Sequence, residues 1–182
     1  MLRVALTGPE STGKSTLSRL LAAYYGTTHA PEYARAYLDQ HGPAYTLPDL
    51  EAIARGQLVA EQAAAAEATA AGKSVVFFDT DLLVIKIWAE HAFGHCPAWI
   101  TDHLHQHPHN LTLLLDVDLP WEPDPLREHP DPAQRQYFHA WYQRELRALP
   151  GRFAEVSGPP AERLACAVAA VDALLQSASS TQ

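Results

Sequence analysis

The chain is predicted to be an α/β protein, a five-stranded parallel sheet with helices on both faces and a small lid. Three observations carry that prediction. Short apolar strand candidates alternate with helix candidates along the whole sequence, the pattern of a sheet built from crossover units. Two strand candidates, Lys73–Asp79 and Leu111–Val117, hold continuous apolar runs rather than alternating ones, as expected where both sheet faces are covered. The third is Gly8–Ser15, G-P-E-S-T-G-K-S, placed between the first strand and the first helix. It matches G-x-x-x-x-G-K-[ST], the phosphate-binding loop of nucleotide-handling α/β folds.

The elements follow in order. Leu2–Thr7 is the first strand, and a helix from Ser15 ends near Tyr25-Gly26. Thr27–Ala30 is a short strand closed by Pro31, since proline cannot donate to a ladder. Glu32–Gln40 reads as a helix that stops before His41-Gly42-Pro43. Pro48 opens a long alanine-rich helix through Ala71, with Gly72 as its C-cap. After the strand ending at Asp79 comes a helix over Asp81–Phe93, then an exposed connection containing His103, His105, His107 and His109. The strand Leu111–Val117 leads into Leu119–Pro132, where five prolines bar a regular helix. This stretch is the expected lid, about residues 119–136. A helix over 133–149, a strand over Phe153–Val156 and a helix over 161–175 complete the fold, with 177–182 as a frayed tail. No repeat or linker interrupts the pattern, so residues 1–176 are read as a single domain.

Composition narrows the setting. Hydrophobic content of 47% and charged content of 19% are those of a globular protein. The net charge is −8 with no Lys/Arg cluster, which argues against nucleic acid as a partner. Cys96 and Cys166 have neither disulfide-framework nor zinc spacing. The phosphate-binding loop occupies the region where a signal peptide would lie. No apolar run approaches the ~20 residues that span a bilayer. A soluble cytoplasmic enzyme acting on a small molecule is expected, with oligomeric state left open.

The loop dictates the first chemistry. Backbone amides of Gly8, Pro9, Glu10, Ser11, Thr12, Gly13, Lys14, Ser15 and Thr16 form the expected cradle for ATP phosphates, apart from the proline, which lacks an N–H. Lys14 brings charge to the β- and γ-phosphates, and the helix dipole favours the anion. The Ser15 hydroxyl suits Mg²⁺, with Asp79 at the end of a strand holding the metal directly or through water. Asp81, two residues on, is either a substrate or outer-shell ligand or simply the N-cap of the next helix. Glu32, after the second strand, is a candidate general base, or a helix-start glutamate favoured by the dipole. Arg127 and Arg135 are candidates to neutralise the transferring phosphoryl, against a reading as solvated arginines. Trp121 either stacks on a substrate ring or pins the loop, and Trp88 is either a substrate contact or core. The histidines alternate, a pattern that suits a metal only on a strand or flexible loop, and they are not assigned a metal.

With these residues in view, the chain resembles the ribosylnicotinamide kinase domain of NadR proteins. The resemblance runs through G-P-E-S-T-G-K-S-T-L at Gly8–Leu17, P-E-Y-A-R-A-Y-L at Pro31–Leu38 and I-A-R-G-Q at Ile53–Gln57. It continues in F-D-T-D-L-L-V-I-K-I-W at Phe78–Trp88, L-L-L-D-V-D-L-P-W at Leu113–Trp121 and D-P-L-R at Asp124–Arg127. It implies a P-loop kinase fold and transfer of the ATP γ-phosphoryl to the 5′-hydroxyl of nicotinamide riboside. On that reading Glu32 orients or deprotonates the hydroxyl, and Asp81 and Asp124 bind ribose hydroxyls. Arg127 and Arg135 then close on the phosphoryl, and Arg35, Gln57, Trp88 and Trp121 are further substrate contacts. NadR proteins typically add an adenylyltransferase domain, which a loop starting at residue 8 leaves no room to precede, so the expected product is the mononucleotide. Other acceptors (another vitamin such as thiamine, a nucleoside or a nucleoside monophosphate) and a regulatory P-loop ATPase are the alternatives.

Overall fold

In the computed structural model, which describes residues 1–179, five strands form one parallel sheet in the order β2-β3-β1-β4-β5. The strands are β1 (Leu2–Thr7), β2 (His29–Ala30), β3 (Val75–Asp79), β4 (Leu111–Leu115) and β5 (Phe153–Val156). Seven helices connect and cover them: α1 (Lys14–Tyr25), α2 (Tyr33–His41), α3 (Leu47–Ala70), α4 (Leu82–Phe93), α5 (Ala98–Gln106), α6 (Pro132–Ala148) and α7 (Pro160–Ser179). β1 lies between β3 and β4, so crossovers leave it in both directions and open a crevice at the carboxyl ends of the strands. In the β1–β3 register Leu6 faces Asp79, which places the last residue of β3 beside the start of the phosphate loop.

Period-two alternation divides the core. Val4, Leu6, Phe77, Leu113 and Leu115 face α1 and α7, meeting Leu17, Leu21, Ala167 and Val171. Ala5, Val76 and Phe78 point the other way, toward Ala64 and Ala68 of the alanine-rich α3. Small residues on α3 let it lie close to the sheet. Leu50 and Ile53 of α3, with Leu83, Ile85, Ile100, Phe138 and Tyr142, complete that side. Each fully buried large side chain contributes roughly 1.5–3 kcal/mol. Among the described residues no helix is long and apolar enough to cross a membrane.

Two expectations are corrected. Residues 98–106, read as part of an exposed connection, form α5, because Ile100 and Leu104 lie four apart and are both buried under the histidine-rich face. His103 and His107 meet ring to ring at 4.6 Å on the outside, while His109 turns inward to Glu61 at 3.3 Å. α7 also runs past Leu175 to Ser179, so residues 177–179 are helical where a tail was expected; 180–182 lie outside the described residues.

Gly56 in α3 has a specific task. A Cβ there would fall 2.1–2.4 Å from ring atoms of Tyr33, the residue that follows Glu32. Gly56→Ala should therefore destabilise the protein despite alanine's helix propensity. Overpacking costs about 1–3 kcal/mol against a propensity gain of about 1 kcal/mol. Thermal unfolding should show a midpoint lowered by a few degrees, and an unchanged or raised midpoint would refute the contact.

Candidate active site

The phosphate loop runs from the end of β1 into α1. Gly8 has φ +131°, and a Cβ on it would stand 2.8 Å from the Leu115 carbonyl oxygen, so the loop can pass β4 only with glycine there. Gly13 caps α1 at φ +83°, a left-handed conformation that glycine adopts without strain. Thr12 closes the loop on itself, its hydroxyl donating to the Pro9 carbonyl at 2.9 Å. Lys14 curls over it, donating to the Gly8 and Pro9 carbonyls at 2.8 Å each. Burial pushes the Lys14 ammonium below its ordinary pKa, opposed by the charges of Glu32, Asp79 and Glu10. Every residue from Gly8 to Thr16 lines a cavity of about 630 Å³, a volume suited to a nucleotide and a small acceptor.

Two of the three carboxylates that act on Lys14 come from outside the phosphate loop. Glu32 lies at the N-cap of α2 and lines the cavity. Burial pushes its carboxyl above the ordinary carboxylate range; Lys14 pulls it back and Asp79 pushes it further up. Asp79 is only 4% exposed and sits behind the wall, and its Oδ1 has no hydrogen-bond partner among the described residues. The backbone then turns through Thr80 at φ +77°, a rare conformation for a β-branched residue. Gln57 holds this turn. Its Nε2 donates to the Thr80 carbonyl at 3.4 Å, and its Oε1 accepts the Tyr33 amide at 3.0 Å. It thus braces the two acidic segments from behind.

Of the site residues expected from the sequence, the structure brings Lys14, Ser15, Glu32, Arg35, Trp88, Arg127 and Arg135 together on the cavity wall. Four expected substrate contacts do not line it. Gln57 is 1% exposed and spent on the brace just described. Asp81 is buried at the start of α4, where its Oδ1 accepts the Leu83 amide and the Thr7 hydroxyl, both at 3.2 Å. Its Oδ2 faces His109 Nδ1 at 3.9 Å. Capping needs the carboxylate to fold back onto its own helix, which turns it from the cavity; burial raises its pKa, with His109 opposing. Asp124 accepts from Arg35 Nη1 at 2.8 Å and from the Leu126 amide at 2.9 Å, so it orients an arginine rather than facing the cavity. Trp121 lies under the two lid arginines, 6.0 Å from Arg127 and 5.7 Å from Arg135.

Those arginines join the lid to the loop. Arg135 donates to the Leu119 carbonyl at 3.1 Å and the Ser11 carbonyl at 3.2 Å, and its Nε is buried without a partner among the described residues. Arg127 donates to the Glu122 carbonyl and, at 3.4 Å, to Ser11 Oγ.

Sequence reasoning missed the far wall and one tether. Tyr45 meets Trp88 edge to face at 4.6 Å, and Phe138 carries His91 and His129 at 4.8 Å each. All of these rings line the cavity. They come from widely separated elements, and each reads locally as an ordinary core aromatic. Arg163 of α7 reaches back to the loop, donating to the carbonyls of Thr12 at 3.0 Å, Asp116 at 2.9 Å and Gly158 at 2.8 Å. No local motif announces it.

Comparison with known proteins gives the same reading of the fold. The trifunctional NAD biosynthesis/regulator protein NadR of Escherichia coli (strain K12) is 32% identical over 139 residues, which is 74% of this chain and 33% of that protein. The chain therefore spans about a third of the length of this curated relative. A NadR protein solved in complex with NAD and AMP-PNP superposes with a TM-score of 0.72 at 23% identity, covering 93% of this chain and 48% of that one. A NadR protein solved in complex with NR gives 0.67 at 22% identity, covering 87% and 44%. The fold is that of the P-loop kinases, as expected from sequence. The family described as AAA domain matches residues 3–163, nearly the whole of the helix-covered sheet and its loop, and the chain belongs to that family.

Proposed function

We propose that the protein transfers the γ-phosphoryl of ATP to the 5′-hydroxyl of nicotinamide riboside, releasing ADP and nicotinamide mononucleotide. The observation that carries this reading is one cavity lined together by Lys14 and the phosphate loop, by Glu32, and by the rings of Tyr45, Trp88 and Phe138. The NR complex of a NadR protein with the same fold supports the choice of acceptor. A flat cationic pyridinium suits a chamber of tryptophan, tyrosine and phenylalanine rings within reach of the charges of Glu32 and Glu10.

In this mechanism the loop amides and Lys14 hold the β- and γ-phosphates. Glu32 accepts the proton of the 5′-hydroxyl as its oxygen attacks γ-phosphorus, while the bond to the β,γ-bridging oxygen breaks. Arg127 and Arg135, next to Ser11, neutralise charge on the equatorial oxygens. Ser15 and Asp79 would hold Mg²⁺. The fit rests on hard oxygen donors and on Asp79 Oδ1, a buried acceptor without a hydrogen-bond partner among the described residues. The metal supplies charge neutralisation at the phosphates. Asp79→Asn should raise the Mg²⁺ needed for half-maximal turnover by about tenfold or more. An unchanged metal requirement would remove Asp79 from that role.

The direct test is a mass-spectrometric acceptor screen with Mg-ATP against vitamins, nucleosides and nucleoside monophosphates. Nicotinamide riboside heavier by one phosphoryl group supports the proposal. Phosphorylated thiamine, another nucleoside or a monophosphate would reassign the acceptor. ATP hydrolysis that no acceptor stimulates would indicate an ATPase module instead.

A further inference from the structure

Glu10 places a carboxylate inside the loop expected to hold a triphosphate. Like charges at such range repel, so the side chain calls for a task that offsets this. It is turned to the lid. A single oxygen, Oε2, accepts the backbone amides of Glu128 at 3.0 Å and His129 at 3.2 Å. Both of those residues reach into the acceptor chamber. The Glu128 carboxylate accepts the Tyr45 hydroxyl at 3.0 Å, and Tyr45 packs on Trp88. The His129 ring lies on Phe138 and meets His91 at 5.2 Å. The charge of Glu10 also acts on Lys14, Glu32, Tyr45 and Tyr142, which places it at the junction of the donor and acceptor halves.

The geometry points to Glu10 as a positioning residue that latches the lid onto the phosphate loop and so sets the wall of the acceptor chamber. This rests on the kinase reading above for its catalytic consequence, but the latch itself does not need an acceptor. Hydrogen bonds to backbone amides are indifferent to lid side chains, so the latch would tolerate sequence change at 128 and 129. An uncharged acceptor oxygen of the same reach can replace the carboxylate; a methyl group cannot.

Limited trypsin digestion with a non-hydrolysable ATP analogue bound tests this. The bond after Arg127, inside the lid, reports the latch, and the bond after Arg55, within α3, reports general opening. Glu10→Ala should be cut several-fold faster than wild type after Arg127 and at the same rate after Arg55. Glu10→Gln should behave as wild type, and Glu10→Asp, which keeps the charge but withdraws the oxygen, should behave as Ala. In turnover, Glu10→Ala should raise acceptor KM and lower kcat together, by about tenfold combined, while donor KM does not rise, since a charge that repels the triphosphate is gone. Equal cleavage of wild type and Glu10→Ala after Arg127, or Glu10→Gln behaving as Ala, overturns the latch. If wild type phosphorylates no acceptor, the kinase reading fails and the digestion still decides on the latch.

Discussion

Replacing Lys14 with alanine should lower turnover by about 10³-fold while leaving the protein folded. The ammonium is the one side-chain cation carried by the phosphate loop itself, and phosphoryl transfer depends almost wholly on position and charge rather than covalent chemistry. Two hydrogen bonds to the Gly8 and Pro9 carbonyls would be lost. Each is worth about 1 kcal/mol net. Removing a buried charge whose pKa is already lowered by desolvation offsets part of that loss. The measurements are kcat with Mg-ATP and the thermal midpoint. A rate within a few-fold of wild type would take the phosphates elsewhere.

Glu32→Gln should lower kcat by about 10²–10³-fold and leave ATP affinity within about threefold, because a positioned base acts only as the acceptor oxygen attacks. The pH profile sharpens the test. Burial raises the Glu32 pKa, so the acid limb of kcat should lie above the ordinary carboxylate range. In the glutamine variant that limb should vanish. Stability has the opposite sign. A carboxyl raised in the folded state favours folding below its unfolded pKa, and that contribution is lost as pH rises through the folded value. At neutral pH Glu32→Gln is therefore expected to be at least as stable as wild type. Unchanged kcat, or an acid limb that persists in the variant, would remove Glu32 from the proton transfer.

Legibility in the sequence followed locality. The phosphate loop could be read because its glycines, lysine and serine do their work within nine residues, between a strand and a helix that declare themselves. β3 and β4 were equally plain, since strands buried on both faces need continuous apolar runs. α5 was hidden because its inward face shows as only Ile100 and Leu104 among alternating histidines. Asp79 and Asp81 share a strand end, and only coordinates separate the one left unpartnered from the one folded into a helix cap. Gln57 and Asp124 lie next to the cavity without lining it. Each contributes through another residue, Gln57 through the Tyr33 and Thr80 backbone and Asp124 through Arg35. Side-chain type alone does not distinguish a ligand contact from a brace. The aromatic chamber draws on the segment before α3, on α4, on the lid and on α6, so no window of sequence contains it.

Arg163 couples two parts of the fold that lie far apart in sequence. It grips the Thr12 carbonyl from 151 positions downstream, at a point buried between α7 and the loop. The turn that opens α1 thus owes part of its anchorage to a helix that follows the fifth strand, and its order depends on α7 being docked. Loosening α7 should therefore be felt at the loop, and amide hydrogen exchange at Thr12 and Gly13 would report that coupling.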